Sequence, residues 1–218
     1  MAKPQGKVVI KWSPEFAYAI GLLVTDGNLS PDGRHFNFTS RDIELVELFK
    51  NALGLTNKIG RKARGGETEK KYYVIQFGDV LFYAFCLKIG LHPNKSKTLA
   101  KIKVPKKYFF DFLRGHFDGD GTFHSYWDPR WKSSFMFYAI FLSASKAHID
   151  WLREYIRQEL GVVGYITKAI TDSVYQLKYA KRESLIVLRA IYRNKKLISL
   201  SRKKLKIEGV LGIVGESL

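Results

Sequence analysis

The chain has 218 residues, of which 46% are hydrophobic, so it suits one or two folded domains and is not a disordered chain. The 37 Lys and Arg residues outnumber the 20 Asp and Glu residues, and the net charge of +17 favours a polyanionic partner, first of all nucleic acid. Cys86 is the single cysteine, which excludes a disulfide within one chain and cysteine-rich zinc sites.

Neither a targeting signal nor a membrane span is visible. The N-terminal sequence MAKPQGKVVIKW lacks the apolar core of a signal peptide, and the longest apolar runs are too short to cross a bilayer. We therefore expect an intracellular protein, in the cytoplasm or nucleoid or in an organelle matrix, with no membrane partner.

The first half of the sequence alternates helical and extended patterns. A helix runs from SPEFAY through AIGLLVTDG, and the strand patterns GNLS and HFNFTS follow, joined by the turn PDGR. The stretch RDIELVELFKNAL is helical up to Gly54. Two more strands, NKIGRKAR and KYYVIQF, precede the helix DVLFYAFCLKI, which ends at Gly90. The predicted order is α-β-β-α-β-β-α.

The second half repeats this order after the helical approach KKYFFDF. The expected elements, in chain order, are strands near 121–127 and 134–143, a helix ending at Gly161, strands near 164–170 and 174–179, and helices near 181–193 and 200–208. We therefore predict an α+β fold of two pseudo-symmetric αββαββα repeats, residues 1–103 and 104–218, joined by a short link.

Two nine-residue segments, AIGLLVTDG and LRGHFDGDG, have glycine third, aspartate eighth and glycine ninth. Gly21 and Gly115, the third residues, are small enough to let another helix approach closely. If the two helices pack in parallel, the eighth residues, Asp26 and Asp120, meet at their C-terminal ends.

Two carboxylates beside the negative ends of two helix dipoles repel each other unless a cation lies between them. Oxygen ligands with open coordination positions suit Mg²⁺ or Mn²⁺, and such an ion assists phosphodiester hydrolysis. The alternative is that each Asp-Gly pair only ends a helix in a turn. Two matched copies in a basic chain favour the metal site.

The two segments resemble the paired signature of the LAGLIDADG homing endonucleases, and the shared order of elements extends the resemblance over essentially the whole chain. It implies a single-chain pseudo-dimer with the motif helices paired at the interface and two antiparallel sheets forming a DNA-binding saddle. It also implies a monomer without an obligate protein partner that reads a long site in double-stranded DNA. Asp26 and Asp120 would then be catalytic metal ligands, each cutting one strand across the minor groove to leave 3′ overhangs.

The family also places a lysine near the active site of each repeat. Lys95 in LHPNKSKTL and Lys203 in LISLSRKKL are the candidates for this catalytic role, and a plain phosphate contact stays open for both. Thr25 stands where the motif usually has a small residue. Asp118 has Val24 as its counterpart in the first motif, and we do not expect it to bind metal.

Strand alternation separates an inner face from an outer face. Phe36 and Phe38 in HFNFTS, and Tyr73, Ile75 and Phe77 in KYYVIQF, are expected to be inward. On the outer face, Arg and Lys can read guanine, and Asn and Gln can read adenine. The residues expected to contact DNA are Ser30, His35, Asn37, Lys62, Arg64, Lys70, Tyr72, Gln76, His124, Tyr126, Arg130, Lys132, Gln176 and Lys178. A solvated basic sheet face is the alternative for this set.

The length leaves no room for a splicing domain beside two such repeats, so we expect a free-standing, intron-type enzyme. A non-cleaving intron RNA maturase, or a DNA-binding regulator on the same scaffold, is the alternative function. It would bind nucleic acid with or without Mg²⁺ and leave its best ligand intact.

Overall fold

The computed structural model describes residues 6–63, 65, 68–131, 133–168 and 173–218. Over these residues the chain forms seven α-helices, two short 3₁₀ helices and two four-stranded antiparallel sheets. Packing divides the chain into two compact units, Met1–Lys95 with Ile102–Gly119, and Ser96–Lys101 with Asp120–Leu218. The predicted α+β class and the order α-β-β-α-β-β-α in each half are confirmed.

The first unit contains one sheet with strand order β1-β2-β4-β3. Its elements are α1 (Pro14–Thr25), β1 (Gly27–Leu29), β2 (His35–Ser40), α2 (Ile43–Ala52), β3 (Gly60–Lys62), β4 (Tyr72–Gly78), α3 (Val80–Ile89) and α4 (Phe109–Gly119). The inner face of the sheet packs against the helices through aromatic rings. Phe38 stacks on Phe49 of α2 with ring centroids 4.2 Å apart, and Phe36 contacts Phe82 of α3 at 5.0 Å.

Local capping explains where two of these helices begin. Ser13 accepts a hydrogen bond from the backbone N–H of Phe16, and Pro14 follows it as the first helical residue of α1. The carboxylate of Asp79 accepts from the N–H of Phe82 at the start of α3. Its other oxygen accepts from the N–H groups of Lys7 and Val8, so the same buried side chain also holds the N-terminal segment.

The second unit repeats the arrangement with strand order β5-β6-β8-β7. Its elements are β5 (Thr122–Trp127), β6 (Phe135–Ser143), α5 (Lys146–Leu160), β7 (Tyr165–Lys168), β8 (Tyr175–Ala180), α6 (Lys181–Ile191) and α7 (Ser201–Ile213). Residues 96–101 join this unit because the Ser145 hydroxyl donates to the carbonyl oxygen of Leu99, and His148 Nδ1 lies 2.8 Å from that of Ala100.

The structure differs from the sequence prediction in several boundaries. Strand β3 covers Gly60–Lys62 of the expected NKIGRKAR, whose last residue lies outside the described residues, and α7 extends to Ile213. Tyr73 was expected to be buried, and this is wrong. Its hydroxyl accepts a hydrogen bond from Arg61 on β3, and the Arg61 guanidinium also lies 4.6 Å from its ring centre, so the side chain stays at the partly exposed edge.

The second motif helix, α4, belongs to the first compact unit and not to the second. The chain therefore changes units after Lys95, after Lys101 and after Gly119. Residues 1–103 and 104–218 are repeats of one sequence pattern, whereas the two compact units are defined by which residues pack together. The repeat boundary accordingly stays a prediction. In the described part of the chain, no helix combines the length and the apolar character needed to span a membrane.

Candidate active site and nucleic-acid interface

The two motif helices, α1 and α4, pack directly on each other. A Cβ atom on Gly21 would lie 2.2 Å from the carbonyl oxygen of Phe112 and 2.7 Å from the backbone nitrogen of His116. A Cβ on Gly115 would lie 2.0 Å from the carbonyl oxygen of Tyr18. Tyr18 lies against Gly115, and Thr25 lies against Gly119, so residue numbers rise together along the pair and the helices run in parallel. The backbones meet at the two glycines, as the motif predicts.

The C-terminal ends of α1 and α4 lie side by side. The backbone N–H of Asp26 donates to the carbonyl oxygen of Leu22 and closes α1. A Cβ on Gly119, the last residue of α4, would lie 3.0 Å from a carboxylate oxygen of Asp26. Asp120 is the next residue in the sequence. Thr25 is accommodated because its hydroxyl donates to the same Leu22 carbonyl.

A buried lysine contacts the ninth residue of each motif. The Lys95 ammonium donates to the carbonyl oxygen of Gly27, and the Lys203 ammonium donates to that of Gly121, at 2.6 Å. The two lysines are only 8% and 9% exposed. Lys95 begins the 3₁₀ helix Lys95–Lys97, whereas Lys203 lies in α7. Different elements therefore bring the same chemical group to the same backbone atom of each motif.

Asp118 has a different role from Asp26 and Asp120. It is 1% exposed, and a carboxylate oxygen accepts a hydrogen bond of 2.9 Å from the hydroxyl of Tyr18 on α1. The ring of Tyr18 also lies 5.4 Å from the guanidinium carbon of Arg114, which is paired with Asp111 at 3.0 Å. These buried polar groups link α4 to α1. The sequence did not predict the Tyr18 contact, because nothing in either motif marks it.

The oxygen donors at the motif ends are chemically suited to a hard divalent cation. In the described residues, no group of three or more His, Cys, Asp or Glu side chains is placed to hold a metal. Mg²⁺ does not require such a group, because it is often bound by one or two carboxylates together with water and phosphate oxygens. Asp26 is partly exposed at the end of α1, where helix carbonyls add negative potential. This donor set fits Mg²⁺ or Mn²⁺.

The outer face of the first sheet carries a row of amides. Asn28, Asn37 and Gln76 are directly opposite one another on β1, β2 and β4. The side chain of Asn57 donates to the carbonyl oxygen of Gln76. These residues, together with Lys7, Ser30 and His35, line a shallow cavity of about 410 Å³. Ser30, His35, Asn37 and Gln76 are among the predicted DNA contacts, whereas Lys7, Asn28 and Asn57 are not. Asn28 follows from the register of β1.

His35 is held at the edge of this cavity by Asp32. A ring nitrogen of His35 bonds the Asp32 carboxylate, whose other oxygen accepts from the backbone N–H groups of Arg34 and His35. The hydrogen bond from the His35 side chain is the main reason that the pKa of Asp32 falls to about 2. The turn therefore presents the imidazole in a fixed position.

The outer face of the second sheet carries the predicted residues His124 and Tyr126 on β5, and Gln176 and Lys178 on β8. Leu177, between the last two, is buried, as alternation predicts. Tyr126 stacks on Tyr138 of β6 with ring centroids 6.3 Å apart. Hydrogen bonding to Tyr126 and burial together raise the pKa of Tyr138 to about 12.

The other predicted DNA contacts lie at sheet edges and turns. Lys62 ends β3 opposite Tyr72, whose ring lies 5.1 Å from the guanidinium carbon of Arg41. Lys70 is exposed before β4, and Arg130 is exposed in the turn after β5, next to Asp128. Arg64 and Lys132 lie outside the described residues. DNA contact by each member of the set stays a prediction.

No protein-family model matches this sequence, and no curated protein sequence matches it. Solved structures do match. LAGLIDADG meganuclease I-AabMI bound to uncleaved DNA has a TM-score of 0.61 and 12% identity, covering 94% of this chain and 91% of its own. I-DmoI in complex with DNA and Mn has a TM-score of 0.54 and 16% identity, covering 83% and 97%. The N-terminal LAGLIDADG domain of DUF199/WhiA has a TM-score of 0.56 and 16% identity, covering 89% of each chain.

These similarities extend over most of both repeats at low sequence identity, and they concern the arrangement of helices and strands. They agree with the two four-stranded sheets and with the parallel packing of the motif helices. The chain therefore has the single-chain, two-repeat fold of the LAGLIDADG homing endonucleases, as its paired motif predicts.

Proposed function

We propose that the chain is a sequence-specific endonuclease that binds a long site in double-stranded DNA and hydrolyses one phosphodiester bond in each strand, leaving 3′ overhangs. The observation that carries this proposal is the repeated arrangement at the motif ends. In each half an aspartate ends the motif helix, a glycine follows it, and a buried lysine donates to the carbonyl of that glycine. A carboxylate and a buried amine at the same place in each half are the groups that cutting one bond in each strand requires.

Double-stranded DNA is the proposed partner for two reasons. The structures of I-AabMI and I-DmoI, which share the fold, contain DNA. The chain itself has a net charge of +17, and it presents Asn, Gln, His and Lys side chains on the outer faces of both sheets. Such side chains can bond base edges in the major groove, while other basic residues neutralise phosphates. We propose that it acts as a monomer.

In this proposal Asp26 and Asp120 hold Mg²⁺ or Mn²⁺ through their carboxylate oxygens. A bound cation supplies the positive charge that activates water and stabilises the leaving oxygen. Lys95 and Lys203 are oriented by their carbonyl hydrogen bonds, and in the complex each ammonium would lie near the reacting phosphate of its own repeat. There it would stabilise developing negative charge and order the water around the nucleophile.

The decisive experiment is selection of cleaved duplexes from a randomised library, with Mg²⁺ and with EDTA. We expect recovery of one family of long sites with Mg²⁺ and none with EDTA. On the selected site, Asp26→Asn and Asp120→Asn should each abolish the cutting of at least one strand while binding persists. Asp150→Asn is the matched control, because Asp150 is exposed on α5 and pairs with Lys146 on the surface.

Two other results would contradict the proposal. A protein that binds one duplex tightly, yet leaves it intact with both Mg²⁺ and Mn²⁺, would be a DNA-binding regulator. A protein that prefers a folded intron RNA to every duplex would be a maturase. Normal cutting by the Asp26→Asn, Asp120→Asn double variant would contradict the assignment of the catalytic residues.

A further inference from the structure

Strand β6 is apolar on both faces. Its inner face packs on α5 and α6, as expected for a sheet covered by helices. Its outer face carries four partly exposed side chains, here called the outer ridge: Met136, Tyr138, Ile140 and Leu142. An antiparallel sheet with one solvated face normally carries polar side chains on that face. A ridge of this composition therefore indicates a partner with apolar groups.

The corresponding strand of the first sheet has the opposite chemistry. Strand β2 is, like β6, the second strand after a motif and the second in its sheet order. Its outward residues are His35, Asn37 and Thr39, and Asn37 belongs to the amide row. Strands β2 and β6 are thus suited to different ligand groups, hydrogen-bonding groups for β2 and apolar groups for β6.

The surroundings of the outer ridge indicate what covers it. The strand register places Thr122 and Lys178 on either side of Ile140, and Gln176 beside Leu142. A cation and an amide at the border of an apolar strip suit a polyanion that has apolar groups between its hydrogen-bonding groups. The major groove of DNA has this composition, because each thymine presents a C5-methyl group there next to a carbonyl acceptor.

The spacing of the ridge also suits DNA. Successive outward side chains on a strand are about 7 Å apart, which is twice the spacing of about 3.4 Å between bases along a DNA strand. Ile140 and Leu142 can therefore lie against bases two steps apart in one half of a target site.

We propose that the outer ridge reads thymine, through contact of Ile140 and Leu142 with C5-methyl groups in the half-site bound by the second sheet. The amide row reads the other half-site by hydrogen bonds. This inference rests on the proposed DNA binding and adds the chemical feature that each sheet recognises. The target is therefore asymmetric, and its two halves respond differently to the loss of a methyl group.

The test uses duplexes selected from a randomised library by binding in EDTA, so that cleavage plays no part. Each thymine of the selected site is replaced by deoxyuridine, which removes the methyl group and leaves the base-pair hydrogen bonds unchanged. We expect affinity to fall about fourfold for each methyl in contact with the ridge, which is the value of one buried methyl group. Replacement in the other half-site should leave affinity nearly unchanged.

Protein variants connect this effect to named side chains. The Ile140→Ala variant should bind duplexes with thymine or deoxyuridine at one position of the site with equal affinity. The Leu142→Ala variant should show the same loss of discrimination at a second position, two base steps away. Asn37→Ala is the matched control on the equivalent strand, and it should keep the full difference between the two bases. Thermal unfolding of each variant shows that the loss of discrimination does not come from loss of the fold.

The outcomes separate the two proposals. If a specific duplex is recovered but deoxyuridine does not weaken its binding, the ridge inference alone is overturned. The same holds if the half-site bound by the second sheet contains no thymine. Failure to recover any specific duplex overturns DNA recognition and the ridge inference together. A DNA-free dimer that Ile140→Asn dissociates would show that a second copy of the chain covers the ridge, and this also overturns the inference.

Discussion

The ammonium nitrogen of Lys203 lies 2.6 Å from the carbonyl oxygen of Gly121, the residue directly after Asp120. Lys95 makes the same hydrogen bond to Gly27 in the other motif. The hydrogen bond to the backbone carbonyl fixes the nitrogen of each lysine at the residue that directly follows a motif aspartate. This arrangement gives the sharpest test of the proposed mechanism.

Replacing Lys203 by methionine keeps the length of the side chain and removes its charge. We expect Lys203→Met and Lys95→Met each to slow cleavage by about a hundredfold, the typical cost of losing one stabilising group at a developing charge. Single-turnover rates for each DNA strand measure this, and the two variants should affect opposite strands.

Lys206→Met is the matched control for this pair. Lys206 lies in the same helix, α7, and its ammonium donates to the carbonyl oxygen of Phe123, two residues beyond the motif glycine. Its loss should leave both strand-cleavage rates close to those of the unmodified protein. Equal effects of Lys203→Met and Lys206→Met would contradict a special role for the buried lysines.

The close approach of α1 and α4 makes their glycines irreplaceable. Gly21→Ala and Gly115→Ala would each place a methyl group within 2.2 Å of a backbone carbonyl oxygen. Because backbone cannot move aside as a side chain can, we expect each variant to lose about 3 kcal/mol or more in free energy of unfolding. Urea denaturation followed by circular dichroism measures this loss.

Gly209→Ala and Gly212→Ala in α7 are the controls for those variants. A Cβ at either position meets no atom within 4 Å apart from its neighbours in the chain and the backbone of its own helix. Alanine has the higher helix propensity, so these changes should be neutral or stabilise the protein by up to about 1 kcal/mol. If all four variants lost the same stability, contact between the motif helices would not be the cause.

Tyr18→Phe tests the buried link between the motif helices. The change removes the hydroxyl that donates to Asp118 and leaves the ring in place. Loss of a donor to a buried carboxylate should cost about 2 kcal/mol. The exposed Tyr165→Phe should cost almost nothing. Cleavage measured where both variants are folded should stay near normal, since Asp118 is not a predicted metal ligand.

The contact between Tyr126 and Tyr138 should make the stability of the fold depend on pH in the alkaline range. The pKa of Tyr138 is raised to about 12 from an ordinary value near 10, so the folded state favours the neutral phenol. The contribution of Tyr138 to the free energy of unfolding is therefore complete below pH 10, and it is lost as the pH rises from about 10 to about 12. NMR titration of labelled tyrosine should show this late ionisation, and Tyr126→Phe should move it to lower pH. An unchanged pKa in that variant would contradict the hydrogen bond.

The rate of thiol labelling at Cys86 should report how readily the core opens. Its thiol is buried in α3, and burial, with a smaller effect from Asp79, raises its pKa far above the usual range. Because the thiolate is the reactive form, labelling at pH 8 should be very slow in the folded protein. Labelling in urea should become fast at the same midpoint as the loss of helical signal. Rapid labelling without denaturant would contradict the packing of α3.

The sequence predicted those features that depend on local spacing. The matched glycines and aspartates indicated the parallel helix pair, and alternation in HFNFTS identified Phe36 and Phe38 as inner residues. The exception at Tyr73 arises from Arg61 on a neighbouring strand, a partner that a single-strand pattern does not contain.

Long-range partners account for most of what the sequence did not reveal. Asp118 and Tyr18 are far apart in the chain, and their hydrogen bond requires the helix pair to be formed first. The two buried lysines have no common spacing from their motifs, so only the family resemblance pointed to them. The amide row depends on strand register, which placed Asn28 opposite Asn37.

The placement of α4 in the first compact unit matters for anyone who divides this protein into interchangeable modules. A fragment cut at residue 103, the boundary suggested by the repeats, would expose the glycine surface of α1 and remove the partner of the Tyr18 hydroxyl. A fragment that continues to Gly119 includes α4, which covers the glycine surface of α1. Hybrids built from this protein should therefore be joined after the second motif helix and not before it.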